Sequence, residues 1–395
     1  MSTPTQVLHY IQEAYHKYYD SAFWLRDSQL LAERRRLLDE SGTTAQEVLL
    51  EAVLQYPGTV PIEDACEQIG MSEAQARELA DLLFGVSDGF KLRQHQYQSL
   101  VSSLADDEKT PPHVVVTSGT GSGKTESFLL PVLARLLKER EGLKLPSIHP
   151  WWQDPEVVAP KWVGVRSFDS SENIEPGVRA LLLYPTNALV EDQVSRLRRA
   201  AIRATEKHGA PLFYFGRYTG GTPGGLFTPT SKLTRAQSDL VTSVARDIKD
   251  IELEARALVG RDLDDRIQFS DPYCGEMLTR WDMIQAPPDI LITNVAMLNI
   301  MLIRENEAPI FEQTRQWLES DPNNKFSIIV DELHSYRGSQ GSEVALVLRN
   351  LFDRLGLAPD SDQLRCLGTS ASLDGDEGPD EVFFVIGFKS IPHII

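Results

Sequence analysis

Cysteine is scarce in this chain. Cys66, Cys274 and Cys366 lie far apart and form no CxxC pair, which argues against a disulfide framework and a zinc site and points to a reducing compartment. The three read as ordinary core or surface thiols. Net positive charge is also lacking: 39 Lys and Arg stand against 57 Asp and Glu, a net charge of -18. The surface as a whole therefore cannot act as a nonspecific polyanion binder, and any nucleic-acid contact must be local. Long apolar runs are missing too. Nowhere does the chain offer about 18 uninterrupted apolar residues, and residues 1–6 contain no apolar signal core. The expected location is the cytoplasm, with no membrane partner. What the chain does have is 42% hydrophobic content over 395 residues, enough for a large core and two or three domains, and not the composition of a disordered protein.

The most informative stretch is Thr117-Ser118-Gly119-Thr120-Gly121-Ser122-Gly123-Lys124-Thr125-Glu126. A β-branched run, residues 113–116, precedes it, and residues 127–137 follow with helical apolar spacing, so it reads as strand, glycine loop and helix start. That geometry binds phosphate. Glycines let successive N–H groups turn inward, the helix start adds partial positive charge, Lys124 reaches the β- and γ-phosphates and the Thr125 hydroxyl holds Mg²⁺. Ser118 stands where the strict GxxxxGKS/T pattern has its first glycine. A plain glycine-rich turn would not explain a lysine and a threonine placed where the helix begins.

A second apolar strand, residues 326–330, delivers Asp331 and Glu332, followed by Leu333 and His334. Adjacent carboxylates at a strand end suit Asp331 for the Mg²⁺ hydration shell and Glu332 for orienting and deprotonating an attacking water. Further strands end in polar turns: residues 180–184 at Pro185-Thr186-Asn187, residues 212–215 shortly before Thr219-Gly220, residues 289–292 at Thr293-Asn294, and residues 364–369 at Ser370-Ala371-Ser372. Runs apolar on both faces belong to parallel sheets covered by helices, whose strand ends bind ligands. The Pro-Thr-Asn turn is well placed for a phosphodiester, and Arg196, Arg198 and Arg199 on the following helix either extend that contact or are simply exposed. Ser370 and its neighbours supply hydroxyls that can relay hydrogen bonds from the carboxylates.

Between these motifs the chain changes character. Residues 1–90 read as an accessory helical domain, with Arg34, Arg35 and Arg36 as a solvated face paired with Glu33 and Asp39, and with Ser72 and Gln75 as a capping box. Gln96, with Gln94 and Gln98 as alternatives, is the preferred adenine contact, because an amide can pair with the N6 and N7 edge. Two insertions are expected within 91–373, at about 144–175 and 222–283; Trp151 and Trp152 in the first are read as packing onto the domain, with base stacking as the alternative.

Taken together these residues resemble the first RecA-like domain of a superfamily 2 DEAD/DEAH-box (DExH) helicase. SGTGSGKT resembles motif I, YPTNALVEDQ motif Ia, DELH motif II and TSAS motif III, with PDILITN between them and a Q-like motif at Gln96. The segment DELHSYRGSQGSEVALVLRNL looks most like the YprA/Lhr-like branch, which includes large helicases of bacterial phage-defence systems. The resemblance implies an α/β P-loop fold, a parallel sheet flanked by helices. It implies ATP binding by Gln96, the loop from Gly119 through Thr120, Gly121, Ser122 and Gly123 to Lys124 and Thr125, and catalysis by Asp331 and Glu332 with Lys124 and His334. Coupling falls to His334, Ser370, Ala371 and Ser372, and a strand-binding face to Pro185, Thr186, Asn187, Thr219, Gly220, Thr293 and Asn294, with DNA favoured over RNA. Family helicases continue into a second RecA-like domain with motifs IV to VI. Residues 374–395 are unlike such a domain, and the expectation is a truncated or split product completed in cis or in trans. Two other readings stay open: a non-catalytic nucleotide-binding interaction subunit, and a kinase or switch of another P-loop class, which leaves the DELH and SAS turns unexplained.

Overall fold

Two helices make up the described part of the first 55 residues. In a computed structural model of the chain, the described residues are 3–40, 42–45, 56–104, 113–119, 121–145, 147–154, 162–166, 174–229, 232–336, 338–370 and 393–394, and the chain divides into compact units at Gln55/Tyr56. In the first unit α1 (Pro4–Ala22) opens on a capping box between Thr3 and Gln6, and α2 (Ser28–Leu38) on Asp27, which accepts from the amides of Gln29 and Leu30. Such caps satisfy the orphan amides of a helix start. The basic cluster is spent inside the unit: Arg34 and Arg35 converge on Asp20, and Arg36 pairs with Glu33 and Glu40 at 2.8 Å each. Asp39, expected beside the arginines, instead takes His16 at 2.9 Å.

The second unit starts at Tyr56, well before the boundary expected near residue 90. Burial explains the difference. Helices α3 (Ile62–Gln68) and α4 (Glu73–Phe84, capped by Ser72 and Gln75 as expected) bury Ile62, Ala65, Cys66, Ala76, Leu79 and Leu82 in one cluster with Phe128 and Leu133 from the helix after the glycine loop. A short antiparallel pair, β1 (Val60–Pro61) and β2 (Lys91–Leu92), ties this segment off before α5 (Gln94–Leu104).

The main sheet follows: β3 (Val114–Thr117), β4 (Ala180–Tyr184), β5 (Phe215–Tyr218), β6 (Glu276–Met277), β7 (Ile290–Asn294), β8 (Phe326–Val330), β9 (Leu364–Ser370) and β10 (His393–Ile394). Every pairing is parallel, in the order β10-β3-β9-β8-β4-β7-β5-β6. Side chains alternate across it. Leu181, Leu183, Leu291, Ile328 and Val330 face one cluster, and Ala180, Leu182, Tyr184, Ile290, Ile292 and Ile329 face the other. The second face is covered by α3 to α5, α6 (Lys124–Glu139) and α7 (Asn187–His208). The first is covered by α8 (Arg235–Ala257), α10 (Arg280–Gln285), α11 (Val295–Ile303), α12 (Ala308–Ser320) and α13 (Gly338–Leu355), with the short α9 (Leu263–Arg266) beside α7. This is the expected α/β fold, and both-face coverage is why its strands carry so few polar residues.

The two insertions pack against each other on the first face. Trp151 and Trp152 are buried; Trp151 donates its indole N–H to Asp282 at 3.0 Å and Trp152 to Glu252 of α8 at 2.8 Å. They anchor the domain, and no ring edge is left for a base. The sheet's amino end is pinned by Asp289, the acid of PDILITN. Its Oδ1 meets Arg140 at 2.8 Å, Arg166 at 3.2 Å and Arg179 at 3.5 Å, and its Oδ2 accepts the Tyr214 amide at 2.8 Å. Burial alone would raise that carboxyl, but the three guanidiniums hold it at about 2. Cys66, Cys274 and Cys366 are buried free thiols, Cys66 being pushed up to about 12 by burial. Among the described residues no helix is long and apolar enough to cross a membrane.

Candidate active site

Register places the chemistry. Thr117 at the end of β3 pairs with Ser370 at the end of β9, and Val330 at the end of β8 pairs with Gly368 of the same strand. The glycine loop and the Asp331-Glu332 turn therefore leave the sheet on either side of one strand, at its carboxyl edge, where open parallel sheets bind ligands.

The loop needs its glycines. Gly121 has φ +77° and Gly123, the residue before Lys124 on α6, has φ +81°; a Cβ at Gly123 would lie 2.5 Å from Gln96 Nε2. Three side chains from the preceding segment brace the loop. Gln96 Nε2 donates to the Gly123 carbonyl at 3.2 Å, Arg93 Nη1 donates to that of Gly121 at 3.0 Å, and the Gly119 amide donates to the Tyr56 hydroxyl at 3.2 Å. Gln96 Oε1 also accepts the Arg93 amide at 3.1 Å. Both ends of the amide expected to read adenine are thus engaged by backbone, and Gln96 is only 3% exposed. Here it is a brace. Ser118 and Ser122 join hydroxyls across the loop at 2.6 Å. Lys124 and Thr125 occupy the first turn of α6, both half-buried, while Thr120 lies outside the described residues.

Opposite the loop, the Thr369 hydroxyl and the Glu332 amide, the latter at 3.0 Å, donate to Asp331 Oδ1. Burial is the main influence on Asp331 and raises its affinity for a proton; the Glu332 charge adds to this, while Thr369 and Lys124 pull the other way. Glu332 is left-handed, at φ 53° and ψ 53°, alone among described non-glycine residues in positive φ. A bulky residue held there costs energy, and the fold pays it where two carboxylates must diverge. His334 Nδ1 lies 3.1 Å from Glu332 Oε2 and 3.2 Å from Ser370 Oγ, so one imidazole nitrogen links the ends of β8 and β9. Ala371 and Ser372 lie outside the described residues.

The neighbouring strand ends carry the other expected set. Tyr184 pairs with Asn294 and Tyr218 with Thr293, so the turns after β4, β5 and β7 line up along the same edge. Pro185 is half-buried, Thr186 is exposed as the N-cap of α7 with no side-chain capping bond, and Asn187 begins that helix. Gly220 is exposed, with nothing within 4 Å of an added Cβ, beside a half-buried Thr219 whose amide donates to Thr222 Oγ1 at 3.1 Å. Thr293 departs from expectation. It is fully buried and donates its hydroxyl to the Tyr218 carbonyl at 2.7 Å, and Asn294 Oδ1 caps α11 by accepting the Met297 amide at 2.7 Å. Both side chains hold the turns in place. The α7 arginines are likewise spent: Arg198 pairs with buried Glu276 at 2.7 Å, Arg199 with Asp264 at 2.5 Å, and Arg196 with Glu126 and with Asp192 at 3.2 Å.

Thr369, Arg93 and Tyr56 were not singled out from sequence. Thr369 sits inside TSAS, a signal that was available; Tyr56 lies 63 residues from its partner, and nothing local marks it.

Residues 94–213 match the family model described as DEAD/DEAH box helicase. The chain is 32% identical over 413 aligned positions to Druantia protein DruE of Escherichia coli, an alignment covering 93% of this chain and 20% of DruE. It is 32% identical over 96 residues, 24% of this chain, to the mitochondrial ATP-dependent RNA helicase MRH4 of Candida albicans, of which 14% is covered. Among solved structures, the DUF1998 helicase MrfA bound to DNA and AMPPNP aligns at 21% identity and a TM-score of 0.42, over 80% of this chain and 28% of that one. The chain spans about a fifth of the length of DruE. Over residues 94–213, then, this chain is similar to DEAD/DEAH box helicases, and its glycine loop and DELH turn leave the sheet at one edge.

Proposed function

We propose that this chain is the ATP-binding N-terminal half of an ATP-dependent DNA helicase or translocase, hydrolysing ATP in response to nucleic acid when a second RecA-like domain completes it. The observation that carries this reading is the register that brings the glycine loop and the Asp331-Glu332 turn to the same sheet edge on either side of β9, although 207 residues of chain separate 124 from 331. In it the loop amides and Lys124 hold the β- and γ-phosphates, and Glu332, steadied by His334, takes a proton from the attacking water. The oxygen donors suit a hard cation. Both hydrogen bonds described for Asp331 fall on Oδ1, which leaves Oδ2 for the water shell of Mg²⁺, with the Thr125 hydroxyl as the second protein contact. Few protein ligands is the habit of Mg²⁺ at phosphate sites. Bound there, Mg²⁺ supplies charge neutralisation on the phosphates.

Thr186, Thr219 and Gly220 offer hydroxyls and amides to a phosphodiester backbone. The second domain supplies an arginine finger, worth ~10³ to 10⁵ in turnover in related phosphoryl transfer, so turnover by this segment alone is slow. A place in phage defence belongs to the same proposal and rests on the likeness to DruE and the motif resemblance.

The test is nucleotide titration and DNA-stimulated hydrolysis. Lys124→Ala is expected to lose ATP, and Glu332→Gln to bind it without turnover. ATP binding by Lys124→Ala at wild-type strength would falsify the phosphate-loop assignment. Tight ATP binding with no DNA stimulation, even with motifs IV to VI supplied in trans, would mark an interaction subunit instead.

A further inference from the structure

The phosphate loop carries a contact that none of the helicase motifs supplies. The Gly119 amide, a donor that the loop would offer to a phosphate oxygen, donates instead to the hydroxyl of Tyr56 at 3.2 Å. The approach is close, since a Cβ on Gly119 would stand 3.0 Å from that oxygen. The ring is fixed from two sides: its centroid lies 5.9 Å from the Arg93 guanidinium, and it meets His95 edge-on at 5.9 Å between centroids. Arg93 grips the loop as well, through the Gly121 carbonyl at 3.0 Å. Tyr56, Arg93, Gln96, Gly121 and Gly123 line one open cleft beside the loop, so Tyr56 stands where a nucleotide would enter.

Resting on the nucleotide reading above, we propose that Tyr56 is a latch on the phosphate loop: its hydroxyl oxygen occupies the seat of a phosphate oxygen on Gly119 and must leave before a triphosphate can settle. A hydroxyl and a phosphate oxygen are both acceptors, and one amide N–H satisfies one of them well. ATP binding then breaks the Tyr56 contact, and its net worth is subtracted from affinity. Only ligands that bring phosphate to the loop feel the subtraction. Tyr56 is also the first residue of the second compact unit.

The experiment uses the full chain and fluorescent mant-ATP, with inorganic pyrophosphate as competitor. Tyr56→Phe keeps the ring, its Arg93 and His95 contacts and its burial, and removes only the oxygen. The expected result is tighter mant-ATP binding by about twofold to tenfold, the equivalent of one net hydrogen bond, with faster association and pyrophosphate competing more strongly. Tyr56→Ala should bind at least as tightly as Tyr56→Phe if its melting temperature is kept. Weaker binding by Tyr56→Phe would mean that the hydroxyl serves the nucleotide, and unchanged affinity that the contact is idle; either overturns the latch. Failure of the wild-type chain to bind mant-ATP sinks the nucleotide reading itself, a result distinct from both.

Discussion

Glu332 and Gly123 illustrate two ways of reaching the same awkward backbone region. Gly123 reaches φ +81° without a side chain to obstruct it, whereas Glu332 holds φ 53° with a full side chain, because its carboxylate must turn away from Asp331 while its amide still donates to it at 3.0 Å. Gly123→Ala meets both obstacles: a strained φ and a Cβ 2.5 Å from Gln96 Nε2. A non-glycine residue in that conformation costs about 1–2 kcal/mol, so mant-ATP affinity is expected to fall roughly tenfold with little change in melting temperature. Wild-type affinity in that variant would show that the loop does not need this turn. At this scale the sequence made placement legible at Lys124, Asp331 and Glu332, which follow strands ending at one edge of the sheet. It was not readable at Gln96, Thr293 or Asn294, whose side chains are taken by backbone groups at 3.2, 2.7 and 2.7 Å. A polar residue in a motif has the same letter whether it faces a ligand or a neighbouring carbonyl.

Among the elements, the β7 strand is the clearest case of one segment serving opposite ends. Its carboxyl end lies on the edge proposed to bind the nucleic-acid strand, while Asp289 just before it gathers Arg140, Arg166 and Arg179 at the other edge. The folded carboxyl sits at about 2, below its ordinary value of 3.8. A depressed acid contributes stability above its unfolded pKa and loses it as pH falls through the folded one. About 2 kcal/mol is therefore expected to disappear between pH 4 and pH 2, read from urea midpoints across that range. Asp289→Asn should flatten that acid limb and cost ~3–5 kcal/mol at pH 7, since it strands buried guanidiniums; a neutral effect at pH 7 would show that Glu139 alone holds them. The apolar strands and amphipathic helices were legible from periodicity. This charge cluster was not, because Arg140, Arg166, Arg179 and Asp289 carry no common spacing and meet only once the sheet has formed.

For the molecule as a whole, strand order sorts the two tasks. β3, β9 and β8 carry the side proposed for the nucleotide, and β4, β7 and β5 the side proposed for the nucleic-acid strand. Thr186→Ala combined with Thr219→Ala is accordingly expected to weaken single-stranded DNA binding and to leave mant-ATP binding unchanged. Fluorescence anisotropy and nucleotide titration on one preparation check this, and a parallel loss of both would argue against two separable surfaces. The long spacing between the two main motifs holds two insertions that meet on the first face through Trp152 and Glu252 at 2.8 Å, the second also reaching α7 through α9. Their positions could be read from composition, but their mutual packing could not.

The place of β9 has one more effect. It lies between β3 and β8 although it comes after both in the chain, so during synthesis the first half of the pocket waits with a gap beside it. Only when residue 370 has cleared the ribosome can Ser370 reach His334 and Thr369 reach Asp331. Domains fold largely as they emerge, yet this one cannot close its sheet along the way. A nascent chain halted before that point would carry the glycine loop and the Asp331-Glu332 turn without the strand that holds them side by side.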